Sequence, residues 1–381
     1  DYATIGNNEG IGLAKDELDC LYEQAQFQPI IGNLKDEGRQ PEWADPYLIH
    51  KTKAGTKIAF LAYTFPYYIT YAPNGWQVLE PMARLEEDLA RPEVRDTDLI
   101  IVLSHLGVRY DEQIAVTYPQ VNLVIGSHTH HLFEEGKLVN ETYLAAADRY
   151  GYYLGCIDLT VENGQLIGCQ IEAIPTKSYI LDLDKEDETF IKAMREEGHR
   201  RLAQKKVANL GRELNFGETC QLVLQAVCQE TDSQLTLLNT GLIMKTLGPQ
   251  VTMSDLQEAL PHQIRMARLV VTGQELKEIC PEVFTKAELL KNQAIKGMGF
   301  RGKTFGEVIT GNFAYKNGNL LYNRRVVDSN EKFSLVLVDQ YYFASYFPTI
   351  KEKEVTLLFP DLLRELVAKY LGKNGANWDK I

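Results

Sequence analysis

Two apolar runs in this chain stop at a small residue and then present imidazoles, and no other feature restricts the fold as tightly. The first is Asp98-Leu99-Ile100-Ile101-Val102-Leu103-Ser104-His105-Leu106-Gly107. The second is Val121-Asn122-Leu123-Val124-Ile125-Gly126-Ser127-His128-Thr129-His130-His131, and together they hold four of the seven histidines. Unbroken Val/Ile/Leu runs of this length read as central strands covered on both faces. Proteins with α/β folds build their sites in the loops beyond strand ends, and imidazole is a common ligand for transition metals. A third stretch, Asp1-Tyr2-Ala3-Thr4-Ile5-Gly6-Asn7-Asn8-Glu9, has the same layout, with amides and a carboxylate at its tip.

Around these stretches, residues 1 to about 176 alternate between strand and helix patterns. Further strands are expected at residues 57–62, 142–146, 153–161 and 165–174, with helices at 15–26 and 83–90. The last two strands flank Glu162-Asn163-Gly164, and Asn-Gly is a strong hairpin signal. Residues 183–206 are charged and helix-prone, and Phe190, Ile191 and Met194 fall at helical spacing. Beyond them, residues 234–239 and 265–271 read as strands, and residues 252–260 as a short helix. Thr272-Gly273-Gln274-Glu275 reads as a capping box opening another helix.

Size and charge narrow the function. A chain of 381 residues predicts two or three domains. The net charge of −12 argues against a nucleic-acid surface. It leaves a phosphate substrate open, because bound metal ions dominate a local field. No apolar run approaches the ~18 residues of a membrane span. The six cysteines form no Cys-x-x-Cys pair and are expected as reduced, buried thiols. That leans toward the cytoplasm, while a start inside a strand pattern leaves export to the cell surface open.

The three stretches together resemble the calcineurin-like metallophosphoesterases, and more closely the 5′-nucleotidase family. That family carries a Gly-Asn-His-Glu turn, a strand ending in Ser/Thr-His and a strand ending in Gly-x-His-Thr-His. Here they stand as Gly6-Asn7-Asn8-Glu9, Ser104-His105 and Gly126-Ser127-His128-Thr129-His130. The resemblance implies two divalent ions, of Mn, Zn, Fe, Co or Mg, that clamp the reacting oxygens of a phosphoester. Asn7, His105 and His128 would hold one ion and His130 would help hold the other; His131 is expected outside the shell. The family also has an Asp-x-His motif and a bridging aspartate before the Gly-Asn turn. This sequence opens at Asp1, on the strand leading into that turn, so a fragment lacking those ligands and inactive on its own is expected. Where the family has a catalytic histidine, this chain has Asn8, and where an aspartate orients it, Ile11. An amide donates a hydrogen bond but delivers no proton.

The resemblance implies an α/β (α+β) fold: residues 1–180 a metallophosphoesterase β-sandwich flanked by helices, 181–209 an interdomain helix, and 210–381 an α/β 5′-nucleotidase C-terminal domain. The order Asn239-Thr240-Gly241, Leu260-Pro261, Thr272-Gly273-Gln274-Glu275-Leu276 matches that domain. Arg212 takes the place of one substrate-binding arginine, and Asn239 and Gly241 stand in the motif Asn-x-Gly-x-x-Arg, whose arginine is Met244 here. His262 and Tyr341 occupy the positions of the two aromatics that stack on a base, and the family's Gly-Gly-Asp is absent. Residues 297–306, rich in glycine with Arg301 and Lys303, read as a phosphate cradle or a surface loop. The expected substrate is a small phosphoester, by family analogy a nucleotide. The alternatives are a 2′,3′-cyclic nucleotide phosphodiesterase, a sugar-nucleotide pyrophosphatase, or a nucleotide-binding protein that has lost catalysis.

Overall fold

The computed structural model describes residues 1–178, 185–295, 299–316 and 318–375. It divides into two compact units, Asp1–Asp184 and Lys185–Ile381.

The first unit is built on a six-stranded mixed sheet. Its strands are β2 (Tyr47–Lys51), β3 (Lys57–Thr64), β4 (Leu99–His105), β5 (Leu123–Gly126), β6 (Lys137–Val139) and β7 (Thr142–Ala145); the short strand Tyr2–Ala3 is β1. The sheet order is β2-β3-β4-β5-β7-β6. The four central strands run parallel, and the two edge strands pair antiparallel. The apolar run of β4 has a cause in packing. Ile100 and Val102 join Leu85, Leu89, Ile114 and Ala115 on the face covered by helices α3 (Pro81–Leu89) and α4 (Val108–Thr117). Ile101 and Leu103 face the other way, toward Ile157, Leu159 and Ile171 of the hairpin β8 (Tyr153–Glu162) and β9 (Gln165–Pro175). A strand covered twice has no polar face, so alternation is lost. The hairpin turns at Asn163 and Gly164, with φ of 52° and 75°, the left-handed pair a two-residue turn requires. Asp88 lies at 0 % exposure under the sheet. It accepts hydrogen bonds from Arg84 Nη2 (2.7 Å), Arg91 Nε (2.8 Å) and Tyr63 Oη (3.0 Å).

Two short helices, α1 (Asn7–Gly12) and α2 (Lys15–Leu21), follow β1. The helix expected over residues 15–26 ends at Leu21; Tyr22 turns away and stacks on Trp43.

The second unit holds a five-stranded sheet. Its strands are β10 (Leu235–Asn239), β11 (Arg265–Thr272), β12 (Val308–Gly311), β13 (Lys332–Val338) and β14 (Thr356–Leu362), in the order β12-β10-β13-β11-β14. Its longer helices are α5 (Lys185–Gln204), α6 (Phe216–Glu230), α7 (Met253–Ala259), α8 (Gly273–Leu290) and α9 (Leu363–Asn374). Thr272 and Glu275 form a reciprocal cap at the start of α8, with Glu275 N donating to Thr272 Oγ1 (3.2 Å) and Thr272 N to Glu275 Oε2 (2.8 Å). Helix α5, read from the sequence as a separate linker, groups with this unit and packs on α7. Its Phe190, Ile191 and Met194 are exposed there.

All six cysteines are free, but only Cys220, Cys228 and Cys280 are buried. Cys20 and Cys156 are exposed, against the expectation of six buried thiols: Cys20 points out from α2, and Cys156 from the solvent side of the hairpin. Among the described residues no helix is long and apolar enough to cross a membrane.

Candidate metal centre

In the first unit, the strand-end histidines meet the tip of the β1 turn. His105 is the last residue of β4, and Asn7 is the first of α1. Asn7 Oδ1 lies 2.9 Å from His105 Nε2 and 3.0 Å from His128 Nδ1. One amide oxygen thus faces two imidazole nitrogens whose ring centroids are 5.1 Å apart. Gly6 makes this approach possible: a Cβ there would lie 2.8 Å from His105 Cε1. Glu9 holds the turn by accepting the Gly6 N–H at 2.9 Å.

His128 and His130 both have left-handed backbones, with φ of 62° and 54°. Residues other than glycine seldom adopt that conformation, and it persists where surrounding structure enforces it. The His128 ring stacks on Phe65 at 4.8 Å and 18°, and meets Tyr67 edge-on. Burial pushes the His105 imidazole down to about 4, and the His128 and His130 charges add to it. Burial also lowers His128. Both rings are therefore neutral near pH 7, as a metal ligand must be. His130 is exposed. His131 turns back to Thr129 Oγ1 at 2.9 Å.

Asn8 is exposed and lines a cleft of about 660 Å³ with Thr4, Tyr22, Phe27 and His105. Ile11 packs instead against the cluster of Ile5, Leu18, Tyr71 and Trp76. Two supporting groups escaped the sequence reading. Phe65 follows Thr64, which pairs in register with His105, so the strand-end rule applied to β3 would have found it. Asp111, on α4, is 4 % exposed and accepts the Ser104 hydroxyl; burial pushes its carboxyl up to about 7.

The remaining candidates belong to the second unit. Arg212 is exposed and forms a two-pronged pair with Glu218, at 2.8 and 2.9 Å. Asn239 is buried; its Nδ2 donates to Phe305 O, and its Oδ1 accepts from Tyr341 Oη at 2.8 Å. Gly241 lets two segments of backbone touch, since a Cβ there would lie 2.1 Å from Thr304 O. The expectation that His262 and Tyr341 offer ring faces to a base is not met in this structure. Both are at 0 % exposure. Tyr341 packs against Phe305 and Phe347, and His262 stacks on Phe300. His262 Nε2 bonds Leu242 O and its Nδ1 accepts the Arg301 N–H, each at 2.9 Å. These side chains, with Gly241, anchor the loop around residues 299–306; Gly297 and Met298 of the expected phosphate cradle lie outside the described residues.

No protein-family model matches the chain. It is 33 % identical over 389 aligned residues to the uncharacterized metallophosphoesterase YunD of Bacillus subtilis, covering 97 % of this chain and 83 % of that protein. The chain belongs to the metallophosphoesterase family. Its family is one of phosphoester hydrolases. The 5′-nucleotidase of Vibrio cholerae is 21 % identical, over 75 % of this chain and 62 % of its own length. Two solved structures share the fold. The NAD nucleotidase of Haemophilus influenzae superposes with a TM-score of 0.60 at 14 % identity, over 98 % of this chain and 81 % of its own. The 5′-nucleotidase precursor of Thermus thermophilus does so with a TM-score of 0.50 at 17 % identity, over 98 % and 80 %. The α/β architecture is thus that of the metallophosphoesterases with a following C-terminal domain.

Proposed function

We propose that this metallophosphoesterase is a metal-dependent hydrolase of nucleotides, and that Asn7, His105 and His128 hold one of its divalent ions. The observation that carries this reading is the meeting of one amide oxygen and two neutral imidazole nitrogens within 3.0 Å. The donor set fits: an amide oxygen with two imidazoles suits a borderline divalent cation such as Zn, Mn, Fe or Co. A second ion finds only His130 among the residues the family motif assigns, and among the described residues no three His, Cys, Asp or Glu side chains form a metal group. When bound, a divalent ion polarises phosphoryl oxygens and stabilises the charge that develops on them.

The chain's own residues do the rest. Phe65 fixes the His128 ring by stacking on it. Glu9 fixes the turn that presents Asn7. Asn8, exposed in the cleft beside His105, donates an amide hydrogen bond to a phosphoryl oxygen. It supplies no proton to a leaving group, which favours substrates whose leaving oxygen is weakly basic. That property supports a second reading, a sugar-nucleotide pyrophosphatase, whose leaving group is a phosphate.

The nucleotide substrate is taken from relatives. Besides the Vibrio enzyme, the trifunctional nucleotide phosphoesterase YfkN of Bacillus subtilis is 22 % identical over 51 % of this chain. The test is hydrolysis by the full-length protein of an aryl phosphate, a nucleoside 5′-monophosphate, a 2′,3′-cyclic nucleotide and a sugar nucleotide, with and without chelator. Chelator-sensitive release of phosphate from the monophosphate supports the first reading. Turnover of the sugar nucleotide alone favours the second. No turnover of any substrate would leave a binding protein.

A further inference from the structure

Asp111 stands between the two strand ends that carry His105 and His128. Its Oδ1 accepts the Ser104 hydroxyl, and Ser104 Oγ in turn accepts the Leu106 N–H at 3.2 Å. These bonds grip the turn on both sides of His105. The other carboxyl oxygen lies against Gly126, where a Cβ would sit 2.4 Å from Asp111 Oδ2. Gly126 ends β5, two residues before His128. The same turn of α4 also reaches the His128 loop: Val108 N–H donates to Thr129 Oγ1 at 3.1 Å. Thr129 lies between the left-handed His128 and His130, so this bond holds a loop that would relax if released.

We propose that Asp111 is a positioning residue that, through Ser104 and Gly126, sets the spacing of His105 and His128 for a shared ion. The inference rests on the reading that these histidines are metal ligands. Its physical ground is that an apolar side chain would occupy this buried place at lower cost than a carboxyl. A carboxyl that touches both ligand-bearing strand ends fixes two backbones at once. Partners in the outer shell of a metal site are typically worth about 10–100-fold in affinity.

The test is Co²⁺ titration of the full-length protein, followed by visible absorption, with thermal melting in parallel. Asp111→Asn keeps an acceptor for Ser104 and is expected to bind Co²⁺ within about threefold of the parent. Asp111→Leu and Ser104→Ala are expected to bind about 10–100-fold more weakly and to shift the Co²⁺ bands. The double variant Ser104→Ala/Asp111→Leu is expected to be no weaker than Asp111→Leu, because both changes break one bond. A folded Asp111→Leu with parental affinity and spectrum overturns the proposal. If Asp111→Leu does not fold, Ser104→Ala decides in the same way. A parent protein that binds Co²⁺ no better than His128→Ala overturns the metal reading itself, a result distinct from failure of the Asp111 variants.

Discussion

Replacing Asn8 by histidine asks what limits turnover. Asn8 is exposed on α1 at the cleft beside His105. A positioned general acid contributes ~10²–10⁴-fold, and an amide contributes none of it. Position 11 lies three residues on, on the same face of the helix, but Ile11 packs into an apolar cluster and cannot orient an imidazole. Asn8→His alone is therefore expected to raise kcat on an alkyl phosphate by about tenfold at most, and Asn8→His with Ile11→Asp by up to ~10²-fold. The second substitution has a structural cost. Removing a partly buried isoleucine from that cluster loses about 1–2 kcal/mol of burial. At roughly 2–4 °C per kcal/mol for a unit of this size, the double variant melts about 2–8 °C lower. The assay compares kcat and KM on 4-nitrophenyl phosphate with those on a nucleoside 5′-monophosphate. Protonation matters most when the leaving oxygen is basic, so the nucleotide rate rises and the aryl rate does not. Equal gains on both substrates, or no gain in the double variant, refute the reasoning.

Three further outcomes follow from the packing. Asp88→Ala leaves the Arg84 guanidinium, 10 % exposed, without its buried partner; chemical denaturation should show a loss of about 3–5 kcal/mol, and under 1 kcal/mol would contradict the account of that network. Gly126→Ala places a Cβ 2.4 Å from Asp111 Oδ2 and should destabilise by about 1–3 kcal/mol. Gly198→Ala, in α5 with nothing within 4 Å, should instead stabilise by roughly 0.5–1 kcal/mol; equal effects of the two would defeat the argument. Burial holds His262 at about 4, below its ordinary 6.5. The unfolded chain binds the extra proton between those values, so this contribution is complete above pH 6.5 and lost as pH falls toward 4. It amounts to roughly 3 kcal/mol. Denaturation midpoints measured across that window should fall less steeply in His262→Gln than in the parent, and an unchanged slope would contradict the assignment.

Some of this was legible in the sequence for identifiable reasons. The run Leu99–His105 reads as a central strand because helices cover one face and a hairpin the other. Asn163-Gly164 and Thr272-Gly273-Gln274-Glu275 announce themselves because only certain residues satisfy those backbones. Helix α4 was hidden: Asp111 is among its inward residues, so its apolar period is broken by the group that braces the site. His262 and Tyr341 could not be assigned by type, since an aromatic ring that stacks on a ligand and one that fills a core are the same residue. Burial separates them, and burial depends on the loop containing Phe300 and Phe305 closing over both. Asn7, His105 and His128 come from three distant segments, and only the parallel pairing of β4 with β5 and the turn after β1 bring them within bonding distance.

The central claim is that Asn7, His105 and His128 hold a metal ion that the chemistry requires. The most direct measurement is metal content of the purified full-length protein and of His128→Ala, with aryl phosphatase activity and melting temperature on the same samples. The account predicts that His128→Ala loses bound metal and metal-dependent turnover while its melting temperature stays within a few degrees, since the strand cores are untouched. A folded His128→Ala that keeps the parent's metal content and turnover would contradict it.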